Sequence, residues 1–220
     1  MSDLLGQARA HRINGEQAAL RRVATLVARA AAPEEVFAAV TEEAGRLLGA
    51  HHAVMSRYGP DGAIRVLAAW SSTGAAFPVG TRWSIGGRNL HTLVFQTDRA
   101  ARIDDHAGAS GPVAETASEV GLRAGVGVPI SVEGRLWGVM VVASAHDQPL
   151  PAVTEERLAD FTELAATAIA NAQARVELRG FADEQAALRR VATLVARAAP
   201  PEEVLAAVPA EAGRLLDTDF

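Results

Sequence analysis

The side chains best placed to do chemistry in this 220-residue chain lie far apart in sequence. His91 and Phe95 are four apart in a stretch that reads as a short helix, so they share a face. Trp70 and Trp83 can wall a small-molecule pocket, or serve as ordinary core and strand-edge aromatics. His51 and His52 are adjacent in an expected strand. They point to opposite faces and do not readily share a metal. Asp104, Asp105 and His106 offer oxygen and nitrogen ligands, but a consecutive run in a loop reads first as a solvated turn. No metal site is expected. Catalytic signatures are missing: no G-x-x-x-x-G-K-[ST], no G-x-S-x-G, no H-E-x-x-H and no ordered G-x-G-x-x-G. Gly125 and Gly127 fall inside a strand with no helix start after them. Cysteine is absent. That excludes disulfides, a thiolate nucleophile and Cys-bound zinc. No catalytic residue is expected.

Composition narrows the partners. The net charge of −5 argues against a nucleic-acid or anionic-membrane partner. No apolar run is long enough to cross a membrane, and no charged-then-apolar leader opens the chain, so a cytoplasmic location is expected. About half the residues are hydrophobic, enough for a sizeable core. Every basic residue is Arg.

The elements that must position these side chains read in order. An apolar stripe of Leu20, Val23, Ala24 and Val27 marks a first helix. Pro33, Glu34 and Glu35 open a second, and Gly49 closes it. His51 to Tyr58 and Ile64 to Trp70 are strands joined through the turn Gly59-Pro60-Asp61-Gly62. Alternation places Ile64, Val66, Ala68 and Trp70 on one face. A short strand at Arg82 to Ile85 follows, then a helix capped by Asn89, a brief strand at Ala101 to Ile103, and a short helix from Pro112. Thr154, with Glu155 and Glu156 after it, starts a long helix.

The most informative stretch is Gly121 to Ser144. Val126, Val128, Ile130 and Val132 share one face of a strand. After Glu133-Gly134, Leu136, Gly138, Met140 and Val142 oppose Trp137, Val139, Val141 and Ala143. Both faces are apolar, so this second strand belongs mid-sheet. Glu-Gly supplies the positive φ of a tight hairpin. Pro129 calls for an edge position or a bulge. A helix ending at a glycine, a VP-apolar strand, E-G-R and a W-G-V-M-V-V strand together resemble the C-terminal half of a GAF domain. The run Ala168-Ile169-Ala170-Asn171-Ala172 is similar to that family's closing helix. The resemblance implies an α+β fold: a GAF-like antiparallel sheet of about six strands, with terminal helices on one face and short helices on the other.

Glu16 to Leu48 recurs as Glu184 to Leu216, an offset of 168 residues. EQAALRRVATLVARA is identical in both copies. That is the period of whole tandem domains. The expected plan is an N-terminal lead over residues 1–15 and a GAF-like sensory domain over 16–178. A connecting signalling helix over 179–199 and a truncated second repeat over 200–220 follow. Pro209 stands where the first copy has Thr41, inside a helix, at a cost of roughly 3 kcal/mol. An ordered helix to about Ala198 and then a mobile tail are expected.

The resemblance implies a regulatory sensory module of a bacterial signal-transduction protein, such as the N-terminal part of a sensor histidine kinase with tandem GAF domains. It also implies a small-molecule ligand in a cavity walled by Trp70, Trp83, His91 and Phe95, and a homodimer formed through the terminal helices. One alternative is a dimerisation and coupling module with no ligand. Another is a haem sensor with His91 as axial ligand. Without cysteine, sulfoxide reduction and bilin attachment within this segment are both out. The lysine of the cyclic-nucleotide GAF signature is missing as well.

Overall fold

The structure, a computed structural model, describes residues 15, 17–74, 77–146 and 149–216. The expected lead over residues 1–15 lies outside them except for Gly15, and so does the end of the second repeat. The chain forms two compact units, Met1–Ala170 and Asn171–Phe220.

The first unit is built on one six-stranded antiparallel sheet. Its strands are β1 (His52–Tyr58), β2 (Ala63–Ser71), β3 (Arg82–Ser84), β4 (Ala101–Ile103), β5 (Ala124–Val132) and β6 (Arg135–Ser144). They are ordered β3-β2-β1-β6-β5-β4. The doubly apolar strand β6 is central, as its composition requires. Glu133 (φ 52°) and Gly134 (φ 74°) make the two-residue turn, with Val132 paired to Arg135. Beyond Gly127, β5 has no β4 residue beside it, so Pro129 lies where one side of the strand is an edge.

One face of the sheet carries helices α1 (residues 17–28), α2 (Pro33–Leu47) and the start of α5 (Thr154–Ala196). Val36, Val40 and Ala44 of α2 pack with Leu158, Phe161 and Ala165 of α5 over Met55, Val126, Ile130 and Met140. Edge strand β4 is tied to this layer by Arg102. Its guanidinium donates to both Glu155 carboxylate oxygens at 2.6 Å and to the Leu150 carbonyl at 2.7 Å. Burying such an apolar layer is the main source of stability in a domain of this size. The other face carries α3 (Leu90–Thr97) and α4 (Pro112–Glu119). Terminal helices on one face and short helices on the other is the expected arrangement.

Two bulges overturn the expected faces. Met55 pairs with Ala68 but Ser56 pairs with Val66, so Leu67 is an extra residue in β2. Alternation restarts there. Val66 points to the α3/α4 side, while Ala68 and Trp70 point to the α2 side. The single face expected for Ile64, Val66, Ala68 and Trp70 is therefore broken. In the same way Ile130 pairs with Gly138 but Ser131 with Leu136, leaving Trp137 extra. Trp137 turns to the α2 side and meets Phe37 at 5.9 Å between ring centroids, while Leu136 joins Val139 and Val141 on the opposite side. The expected grouping of these two residues is exchanged.

In the second unit the long helix α5 ends at Ala196, and α6 spans Pro201–Leu216. The repeat is structural as well as sequential. Arg22 pairs with Glu43, and Arg190 with Glu211. Arg29 pairs with Glu35, and Arg197 with Glu203. Ala30 and Ala198 both take positive φ, 60° and 53°, at the link between the helices. The copies differ at Ala32/Pro200, Phe37/Leu205, Thr41/Pro209 and Glu42/Ala210. Helix α6 continues through Pro209, the position at which the first copy has Thr41. Leu205, whose carbonyl loses its helical donor, belongs to an exposed surface where water can replace that donor.

Candidate functional site

A cavity of about 40 Å³ lies between the sheet and the short helices. Val54 of β1 and Val141 and Ala143 of β6 form its floor. α3 can approach this sheet because β5 has glycines beneath it. A Cβ at Gly125 would lie 2.8 Å from Cδ1 of Leu90, and one at Gly127 3.2 Å from Cγ2 of Val94. The glycines that mimic a nucleotide motif in the sequence serve helix packing. α4 contributes Val113, Ala114 and Ala117 to the opposite wall.

The rim is aromatic. Rings follow one another from His52 to Phe77 (5.9 Å), Trp83 (5.8 Å) and His91 (6.4 Å). His106, from a 3-10 turn at His106–Gly108, adds a third imidazole. Nδ1 of His52, Nδ1 of His91 and both ring nitrogens of His106 are buried without a protein partner. Buried polar atoms normally find one, so this is an unusual concentration. His91 is anchored by its other nitrogen, Nε2, 3.3 Å from Oγ of Ser56, and its carbonyl accepts from the Tyr58 hydroxyl at 2.8 Å.

Burial pushes His91 down to about 4, so its imidazole is neutral near pH 7. His52 is lowered by burial and by His51. Burial lowers His106, Asp105 acts to raise it, and Arg88 acts to lower it. Neutral imidazoles each offer one donor and one acceptor. Among the described residues no three His, Asp or Glu side chains are placed to hold a metal ion.

Of the four residues expected at the pocket, Trp83 and His91 line it and Trp70 and Phe95 do not. Trp70 was turned away by the β2 bulge and packs beside Gly45 of α2. Phe95 shares the His91 face of α3 but sits one turn on, past the end of the cavity. It is 44% exposed and meets the Tyr58 ring at 5.1 Å. His52, Phe77 and His106 are at the site and were not expected there. Strand parity with Val54 could have found His52. Phe77 lies in a loop whose path carries no periodic signal. Haem does not fit. Nε2 of His91 is turned to Ser56, and about 40 Å³ is far below the 300–1,000 Å³ usual for ligands of drug size.

Among the described residues no helix is long and apolar enough to cross a membrane. No curated protein matches the chain. Solved structures share its fold. The phycocyanobilin-bound GAF domain of a cyanobacterial phytochrome aligns with TM-score 0.60 at 22% identity, over 73% of this chain and 96% of that one. The GAF domain of an Acinetobacter phosphoenolpyruvate-protein phosphotransferase aligns with TM-score 0.56 at 16% identity, over 72% and 94%. A bacteriophytochrome of R. palustris aligns with TM-score 0.63 at 14% identity, over 81% of this chain and 41% of its own. The family model for the GAF domain matches residues 32–172. On that match, and with the six-stranded sheet between its two helical layers, the chain belongs to the GAF domain family.

Proposed function

We propose that the chain is the ligand-sensing, regulatory part of a bacterial signal-transduction protein, of the kind in which tandem GAF domains precede a histidine kinase. The observation that carries the sensory reading is the cavity between the sheet and the short helices, with its aromatic rim and unpartnered imidazole nitrogens. Polar atoms left unpaired in an apolar enclosure favour a molecule that pairs with them. A ligand there touches α3, α4 and the central strand β6 together, so it can shift the balance between two packings of the domain. The bilin named for the cyanobacterial neighbour is not a model for this ligand. The chain has no cysteine for a thioether, and the cavity is too small for a tetrapyrrole.

The homodimer belongs to the same proposal. Leu178, Phe181, Leu188 and Val195 on α5 are each more than half exposed and recur at spacings of three and seven residues, an apolar stripe along one helix face that calls for a partner. Native mass spectrometry and thermal shift against a panel of small metabolites test the sensory reading. A retained mass or a saturable rise in Tm supports it. If nothing in the panel binds, the domain is instead a dimerisation and coupling module.

A further inference from the structure

The cavity has a chemical bias beyond its general suitability for a ligand. Asn89, which also borders it, is committed within the protein. Its Oδ1 accepts from the Thr92 N–H, and its Nδ2 donates to the carbonyls of Gly86 and Ser110. Among the described residues no carboxylate lines the cavity. What remains free is nitrogen: His52 Nδ1, His91 Nδ1, and both nitrogens of His106. His52 and His91 are 3% and 5% exposed, so neither can turn to bulk water.

α3 and α4 both border the cavity with their first turns, through Leu90 and His91 and through Val113 and Ala114. Helix starts bear partial positive charge. α4 has no capping side chain, which leaves its first N–H groups free of one. Size sets the other bound. About 40 Å³ holds roughly three water-sized bodies, whereas an engineered cavity that binds benzene measures about 150 Å³. An aromatic heterocycle is too large, and the histidines are not spaced for a metal ion.

We propose that the cavity takes a small monovalent oxyanion, of the size of formate or nitrate, hydrogen-bonded by His52, His91 and His106 and accompanied by one proton taken up from solution. This rests on the sensory reading of the same cavity. The proton goes to an imidazole, so that imidazolium and anion enter as a neutral pair. A lone buried charge is otherwise costly. The ionisable groups around the three rings are His51 beside His52, and Asp105 and Arg88 beside His106. His91 is governed by burial alone.

Isothermal titration calorimetry on the full chain tests this, with sodium formate and sodium nitrate as probes and formamide as the neutral isostere. Titrations at pH 6, 7 and 8, in buffers of different ionisation enthalpy, count protons. The expected result is one anion per chain, with one proton absorbed and affinity falling about tenfold per pH unit. Formamide should not bind. His91→Gln and His106→Gln keep a polar amide but cannot take the proton. Each should lose anion binding while circular dichroism shows a folded domain, and the second tests the idea should the first fail to fold. If formamide binds as well as formate, without pH dependence, the anion class is wrong and the sensory reading stands. If neither anion nor formamide binds, the cavity holds only solvent as far as these probes go and the proposal is overturned. The metabolite panel then decides the sensory reading separately.

Discussion

Nε2 of His91 lies 3.3 Å from Oγ of Ser56, while Nδ1 of the same ring is buried without a protein partner. The ring is thus held by one nitrogen and leaves the other for the cavity. It also makes the fold sensitive to acid. The imidazole titrates near 4 in the folded chain against an ordinary 6.5. Above pH 6.5 the ring is neutral in both states and stability is fully present. Between 6.5 and 4 the unfolded chain takes the proton and the folded one does not, so stability falls as pH falls. The loss attributable to His91 reaches about 3 kcal/mol at the lower end. Burial acts in the same direction on His52 and His106. Urea unfolding at pH 7 and pH 5 should show the loss, and His91→Gln should flatten the pH slope. An unchanged slope in that variant would place the sensitivity elsewhere.

The glycines of the sheet rank by what lies above them. A Cβ at Gly138 would meet the Ser56 carbonyl oxygen at 2.4 Å, a backbone atom that cannot swing away. A Cβ at Gly134 meets nothing within 4 Å and is penalised only through its φ of 74°. Gly138→Ala should therefore destabilise by about 2–3 kcal/mol, and Gly134→Ala by about 1 kcal/mol. Equal costs in thermal unfolding would contradict the close approach of β1 and β6 at this point.

Much of this architecture was legible before any coordinates. The Glu133-Gly134 turn, the Asn89 cap and the order of elements each follow from local chemistry: a required positive φ, a side-chain acceptor for the Thr92 N–H, and a periodicity. The bulges at Leu67 and Trp137 were not legible. A single inserted residue leaves no mark in the alternation around it, yet it reverses the face of everything beyond. That is why Trp70, with the right composition for a pocket wall, packs on α2 instead. The cavity itself is assembled from His52, Phe77, Trp83, His91 and His106, on five separate segments, and no spacing in the chain announces their meeting.

Placement of the tryptophans makes fluorescence a direct check on the site. Trp83 is at the cavity, whereas Trp70 and Trp137 pack on the α2 side. Any compound from the panel that enters the cavity should change emission from Trp83 alone. Trp83→Phe should abolish the change, and Trp70→Phe should leave it intact. A response that depended on Trp70 would put the ligand on the opposite face of the sheet.

The repeat supplies an internal control for what the sheet contributes. Val40 and Val208 occupy the same position in two nearly identical helical pairs, each braced by its own Arg–Glu bridge, Arg22–Glu43 and Arg190–Glu211. Val40 is fully buried beneath the sheet, and Val208 is 51% exposed. Their neighbours differ in the same sense, with Phe37 6% exposed and Leu205 72%. Local sequence is matched, so cost on truncation measures coverage. Val40→Ala should lower stability by about 2 kcal/mol, the transfer of two methylene equivalents plus the cavity left behind. Val208→Ala should stay within about 0.5 kcal/mol. The same difference predicts the order of proteolysis. Early cuts should fall within Pro200 to Phe220, while the sheet and the helices packed on it resist, because a helical pair with an uncovered apolar face opens at low free energy. If Val208→Ala costs as much as Val40→Ala, or if the sheet-bearing unit is cut first, something buries the second copy as fully as the sheet buries the first.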